Sequence, residues 1–123
     1  MSRVDIRIKR IYDAASSDDG TRVLVDRLWP RGVSKDAAKL DVWLRDAAPS
    51  HDLRARYHGD RKEGDWEEFR RLYAEELDGH PTQVGELLSL AKRGRLTLLY
   101  ASRDEEKNNA AALKAYLEGA VKR

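Results

Sequence analysis

Residues 27–35 hold three cations, Arg27, Arg31 and Lys35, and no acidic side chain, which makes this segment the first candidate for chemistry. The planar guanidinium groups of arginine match the oxygens of phosphate or carboxylate. Trp29 adds an aromatic face on which a ligand could stack. We therefore predict an anion-binding loop. In the structural alternative, Trp29 packs into the core and the arginines pair with nearby acids, namely Asp26, Asp36 or Asp46.

A second group of polar residues follows the apolar run at residues 96–101. Ser102 and Asp104 come after this run, much as Asp26 ends the apolar run that precedes the cationic loop. If both runs are parallel strands, their carboxyl ends meet at one sheet edge, where open α/β sheets bind ligands. Asp26 or Asp104 is then a candidate general acid or base. The alternative is that Ser102 or Asp104 only caps the following helix.

Further candidates come from other parts of the chain. Lys9, Arg10 and Arg54 are cations that could neutralise the charge of an anionic ligand. Asn108 falls in the first turns of a predicted helix, near its positive end. His58 stands close to an aspartate that could orient its imidazole for catalysis, or it complements a helix dipole. The sequence has no metal-type ligand spacing, no P-loop and no nucleophile-elbow motif, so we expect neither a metal nor a cofactor.

The elements that must position these residues follow from the spacing of apolar side chains. Alternation of apolar and charged residues over 4–9 predicts a half-buried strand, and short apolar runs predict more buried strands over 22–26 and 96–101. Residues 41–46 fit either a strand or a frayed helix. Caps and apolar spacings of three or four predict four helices. These are at residues 50–57, 65–77 and 81–93, and after Ser102.

Length and composition limit the class of protein. The chain has 123 residues and no cysteine, which excludes thiol nucleophiles and disulfides. Its 24 Lys and Arg against 22 Asp and Glu leave a net charge of +2, which argues against a dedicated, non-specific nucleic-acid binder. No apolar run approaches the roughly 20 residues of a membrane helix, so we expect no membrane partner. We predict one compact α/β domain over residues 1–123, with a small, mostly parallel sheet and helices packed on its faces.

The motif Val25-Asp26-Arg27-Leu28-Trp29-Pro30-Arg31-Gly32 resembles the corresponding motif of the YeaO-like family of bacterial proteins, which is defined as a domain of unknown function. The resemblance covers nearly the whole chain and includes Tyr57-His58 and Asn108-Asn109-Ala110. It implies a compact α/β domain and a cytoplasmic protein. It implies no established activity, substrate or cofactor. The cations that match family positions are Lys9, Arg10, Arg27, Arg31 and Lys35.

Three hypotheses about function follow from these residues. In the first, the loop at residues 27–35 binds a small anionic or phosphorylated ligand at a strand end, and whether it also catalyses a reaction stays open. In the second, the cations form a basic face of a nucleic-acid or protein interaction module that lacks catalysis. In the third, the cations are locked in internal ion pairs and the protein is a regulatory partner without a ligand.

Overall fold

A computed structural model of the protein describes residues 4–57 and 65–121. Four strands form one parallel sheet in the order β1-β4-β2-β3. The strands are β1 (Ile6–Arg10), β2 (Thr21–Leu24), β3 (Val42–Trp43) and β4 (Leu96–Tyr100). The helices are α1 (Lys35–Ala38), α2 (His51–Arg56), α3 (Asp65–Asp78), α4 (Pro81–Arg93) and α5 (Asn109–Val121). Single 3-10 turns occur at Ser17–Asp19 and Arg45–Ala47.

Strand β4 lies at the centre of the sheet because it carries no charge. All five of its residues are buried, as expected for a parallel strand that is covered on both faces. Its first residue, Leu96, is aligned with Ile6 of β1 on one side and with Thr21 of β2 on the other. The carboxyl ends of β2 and β4 are therefore adjacent, at the same edge of the sheet.

Two apolar cores lie on opposite faces of the sheet. Leu96, Leu98 and Tyr100 belong to the larger core, which also contains the apolar faces of helices α2 to α5. Leu99 points to the other face and packs with Leu24 in a smaller core. This division follows the alternation of side chains along a strand. The predicted class, a single compact α/β domain with helices around a small parallel sheet, is confirmed.

Several local predictions need correction. Although β1 and β2 are consecutive in the chain, they are not neighbours in the sheet, because β4 is inserted between them. The segment at residues 41–46 contains both a two-residue strand and a 3-10 turn. The last helix begins at Asn109 and not directly after Ser102, because the Asn108 side chain accepts the hydrogen bond from Ala111 N at 2.8 Å. In the described parts of the chain, no helix is both long and apolar enough to cross a membrane.

Candidate functional site

A cleft of about 650 Å³ opens where the carboxyl ends of β2 and β4 meet the start of α5. Its volume is in the range that suits small-molecule ligands. Its polar lining comes from the residues that follow the two strands and from helix α2. The polar and charged residues are Asp26, Arg27, Arg54, Ser102, Arg103, Asp104, Asn108 and Asn109. The cleft therefore combines cations, acids and amides within one small-molecule-sized space.

Asp26 lies at the base of this cleft, two residues after the end of β2. Its Oδ2 accepts a hydrogen bond from Ala101 N at 2.9 Å, and its Oδ1 accepts one from Asn109 Nδ2 at 3.0 Å. Burial raises the pKa of Asp26 above its ordinary value of 3.8, although these two hydrogen bonds and the charge of Arg54 act in the opposite direction. Asp26 is thus a carboxyl group held rigidly by neutral donors in a partly desolvated position.

Asn108 and Asn109 have different tasks at the start of α5. Asn108 is buried, caps the helix through its Oδ1, and donates from Nδ2 to the Asp104 carbonyl at 2.9 Å. Asn109 donates to Asp26 Oδ1 and also to the Val25 carbonyl at 3.0 Å. Asn108 therefore shapes the loop behind it, while Asn109 fastens the helix to the end of β2 and orients Asp26.

The orientation of Arg27 is set by the backbone beside α2. Its Nε donates to the Pro49 carbonyl at 3.2 Å and its Nη2 is 3.5 Å from the Ala48 carbonyl oxygen. These bonds go to carbonyls and not to Asp26, Asp36 or Asp46, the partners considered in the structural alternative. The guanidinium of Arg27 is therefore held at the wall of the cleft.

Arg54 is positioned by a well-anchored helix. Ser50 caps α2 by accepting from Leu53 N at 3.1 Å. The Glu76 carboxylate on α3 in turn accepts from Ser50 N at 2.8 Å and from Ser50 Oγ at 2.5 Å. This double contact joins the start of α2 to α3. The half-buried Arg54 thus projects from a rigid support, close enough for its charge to lower the pKa of Asp26 against the effect of burial.

An aromatic pair forms the apolar side of the cleft. Tyr57 and Phe69 are both buried, and their ring centroids are 5.8 Å apart at an interplanar angle of 74°. Pro49 and Ala101 also line this side. Edge-to-face packing of this kind stabilises the wall and leaves carbon surface for the apolar part of a ligand.

The loop after β4 is shaped by its own side chains. Ser102 Oγ accepts from Asp104 N at 3.2 Å. Asp104 Oδ1 accepts from Glu106 N and from Lys107 N, both at 2.9 Å. Ser102 and Asp104 line the cleft and also build the turn, but they do not cap α5. The expected convergence of Asp26, Arg27, Ser102 and Asp104 at one sheet edge is present.

Two of the predicted cations lie outside the cleft in polar contacts. Lys9 Nζ is 3.1 Å from Asp19 Oδ1, in a part-buried ion pair. Arg10 Nε donates to the Ser102 carbonyl at 2.9 Å, and its guanidinium lies 5.0 Å from the centroid of the Tyr12 ring. Arg10 therefore supports the back of the loop that lines the cleft.

None of the remaining predicted residues is in the described lining of the cleft. Trp29 donates from Nε1 to the Val33 carbonyl at 2.7 Å and packs edge-on against Trp43, so it contributes to the smaller core. Arg31 and Lys35 are exposed and lie away from the cleft lining. His58 lies outside the described residues.

Arg103, Asn109 and Phe69 line the cleft but were not among the predicted site residues. Applying the strand-end rule to every residue after β4 would have found Arg103 and Asn109. Phe69 falls at a core-facing helical spacing, so its sequence position gives no indication of a surface role. Among the described residues, no group of three or more His, Cys, Asp or Glu side chains is arranged to hold a metal ion.

Comparisons with known proteins agree on one family. A family described as the inactive DUF488-N3 subclade matches residues 5–123. Uncharacterized protein YeaO of Escherichia coli (strain K12) is 41% identical over 114 residues, which cover 93% of this chain and 97% of that protein. Two further relatives are each 40% identical over 114 residues, which cover 93% of this chain and 94% of the relative. They are Uncharacterized protein Rv3073c of Mycobacterium tuberculosis (strain H37Rv) and Uncharacterized protein Mb3100c of Mycobacterium bovis. No solved structure matches. The chain therefore belongs to the YeaO-like DUF488 family.

Proposed function

We propose that the protein binds a small anionic ligand, such as a phosphate ester, in the cleft at the carboxyl ends of β2 and β4. The observation that carries this proposal is the presence of Arg27, Arg54 and Arg103 around one cleft of small-molecule size. Guanidinium groups form paired, charge-assisted hydrogen bonds with phosphate or carboxylate oxygens. The apolar side formed by Tyr57 and Phe69 accommodates the rest of the ligand.

The two acids of the cleft do not cancel its cationic character. Asp104 accepts hydrogen bonds from two backbone N–H groups, and Asp26 accepts from Ala101 N and Asn109. These donors partly offset the negative charge of both carboxylates. The arginines therefore supply the groups best suited to an anion.

Pre-organisation of the arginines favours binding. Arg27 is held by carbonyls, and Arg54 projects from a helix that Glu76 anchors through Ser50. Because these supports exist before a ligand arrives, less side-chain entropy is lost on binding. The proposal keeps two of the predicted cations, Arg27 and Arg54, adds Arg103, and leaves out Arg31 and Lys35.

Binding without catalysis is the simpler form of this proposal. The matching family is described as an inactive subclade, and that description supports a role without catalysis. If a reaction does occur, Asp26 is the best-placed acid or base, because its pKa is raised toward the range that proton transfer requires.

The nucleic-acid or protein interaction module is the alternative function. Arg31 and Lys35 are exposed near two large exposed apolar residues, Leu28 and Tyr12, and this observation favours it. Lys9 and Arg10, in contrast, are engaged with Asp19 and with the carbonyls of residues 101 and 102. Much of the predicted basic face is thus used internally, so this alternative has weaker support than the cleft.

Anion binding can be tested by thermal shift and calorimetry with inorganic phosphate, sulfate and simple phosphate esters. A bound ligand raises Tm because it stabilises only the folded state. We expect Arg54→Ala to weaken phosphate-ester binding by about tenfold or more, since it removes charged hydrogen bonds. Arg31→Ala is the matched control, because Arg31 is exposed outside the cleft, and it should bind like the unmodified protein. Equal binding by Arg54→Ala and the unmodified protein would contradict the proposal.

A further inference from the structure

We infer that the ligand carries a neutral hydroxyl group beside its anionic group, and that Asp26 accepts the hydrogen bond from this hydroxyl. The ligand class is then hydroxylated phosphate esters, of which sugar phosphates are the typical members. This inference rests on the proposed function, because it concerns the base of the same cleft.

The first step is the hydrogen-bonding capacity of Asp26. An ionised carboxylate offers about four acceptor sites, two on each oxygen. Among the described residues, Oδ2 accepts from Ala101 N and Oδ1 accepts from Asn109 Nδ2. Each oxygen therefore retains capacity for one more donor, and the residue lines the cleft. A ligand group that reaches the base of the cleft meets an acceptor.

The second step concerns Asn109, the neighbour of Asp26 in the cleft. Its amide nitrogen donates to two acceptors, the Val25 carbonyl and Asp26 Oδ1. Both partners can only accept, so the orientation of the amide group is determined. The other polar atom of the Asn109 side chain is its carbonyl oxygen, Oδ1, which is a further hydrogen-bond acceptor. The base of the cleft thus offers acceptors, whereas the arginines around it offer donors.

The third step distinguishes a hydroxyl from an ammonium group as the donor. Arg54 lies close enough to Asp26 to act on its ionisation, and Arg27 and Arg103 line the same cleft. An ammonium group placed at Asp26 would be repelled by these guanidinium charges. A hydroxyl also donates a hydrogen bond to a carboxylate, and it adds no positive charge for the arginines to repel. The electrostatics therefore favour a neutral donor.

The fourth step is the rigidity of the acceptor. Asp26 is fixed by the backbone of Ala101 and by the first residue of α5, so it belongs to the sheet edge and not to a mobile side chain. A rigid acceptor discriminates between ligands, because a ligand without the matching donor displaces water from the remaining acceptor sites of a partly buried carboxylate and puts no donor in its place. Asp26 is thus a specificity-determining residue of the cleft.

The inference is tested by calorimetry with three phosphate esters that each contain five carbon atoms. They are a pentose 5-phosphate, pentyl phosphate and 5-aminopentyl phosphate. The pentose has a hydroxyl on several carbons, so the donor is sampled at several distances from the phosphate. We expect the pentose 5-phosphate to bind the unmodified protein about tenfold more tightly than either of the other two. This ligand comparison requires no variant.

Asp26→Asn provides the second measurement, because it keeps the size of the side chain and removes the charged acceptor. We expect Asp26→Asn to bring the ratio of the pentose 5-phosphate and pentyl phosphate affinities from about ten to about one, because the removed charge affects both esters equally and the lost acceptor affects only the pentose. Equal binding of the pentose and pentyl esters to the unmodified protein would overturn the inference while leaving anion binding intact. Preferential binding of the amino ester would overturn the neutral donor. If none of the three esters binds, the proposed function itself fails.

Discussion

Asp19 and Asp26 stand before and after β2, and they illustrate two different uses of an aspartate. Asp19 contacts two cations, Lys9 at 3.1 Å and Arg22 at 2.6 Å. Burial opposes its ionisation, but hydrogen bonds from Ser16, Lys9 and Arg22 outweigh that effect, and its pKa lies below the ordinary 3.8. Asp26 has neutral donors and a raised pKa. The first aspartate is therefore structural, whereas the second lines the candidate cleft.

We predict that Asp19→Asn destabilises the protein by about 3 kcal/mol at neutral pH, because it leaves the buried Arg22 without its charged partner. The pKa of Asp19 is lowered on folding, so its stabilising effect is present above pH 3.8 and is lost as the pH falls through the lowered value. Urea unfolding at several pH values measures this effect.

Asp26→Asn is the control for that experiment, because the pKa of Asp26 is raised and the sign reverses. The stability of the unmodified protein relative to Asp26→Asn should fall as the pH rises above 3.8. A loss in Asp19→Asn that stays constant from neutral pH into the acidic range contradicts the structural role assigned to the Asp19 carboxylate.

At the scale of elements, turns and caps decide where strands and helices begin. Gly20 has φ +65° and joins the 3-10 turn to β2. A Cβ at this position would lie 2.3 Å from the Arg95 carbonyl oxygen, which accepts the hydrogen bond from Thr21 N. The sequence marks a turn at this glycine, but the close approach to Arg95 depends on a segment that is distant in the chain.

We predict that Gly20→Ala destabilises the protein by about 2–5 kcal/mol, from left-handed backbone strain together with overpacking. Gly32→Ala is the matched control, since Gly32 has φ +75° but its Cβ would meet nothing within 4 Å. This control should lose about 1 kcal/mol from the backbone alone. Chemical denaturation compares the two variants, and equal losses would exclude a steric role for Arg95.

At the scale of the whole molecule, the order of the strands creates the candidate site. Because β4 lies between β1 and β2, the residues after β2 and β4 meet directly, and α5 brings Asn109 to the same point. The same topology separates Arg31 and Lys35 from the cleft. The cations singled out above are therefore found in three places: in internal contacts, around the cleft, and exposed at residues 31–35.

This distribution predicts the behaviour of the protein toward nucleic acid. We expect no retardation of single- or double-stranded oligonucleotides in a gel at low salt, because Lys9 and Arg10 are engaged internally and the net charge is only +2. Non-specific nucleic-acid binding depends on many phosphate contacts and weakens steeply with salt. A salt-sensitive band shift that disappears in a double variant of Arg31→Ala and Lys35→Ala would support the interaction module in place of the cleft.

The sequence by itself determined three of the strands, the longer helices, the α/β class and the pair of strand ends at which a ligand site was expected. These features depend on local patterns: the charge-free run that became β4, the spacing of Phe69 and Tyr73 on α3, and the turn at Gly20. Asp26, Arg27 and Asp104 could be predicted as neighbours because parallel strands align their carboxyl ends.

Only the tertiary structure decided the order of the strands and which cations line the cleft. Arg31 and Arg54 are equally plausible as anion ligands in the sequence, yet one is exposed on a loop and the other projects from a helix fastened by Glu76. Likewise, the tie between Asn109 and Asp26 joins residues 83 positions apart. Long-range contacts of this kind depend on how whole elements pack, and no local pattern of residues encodes them.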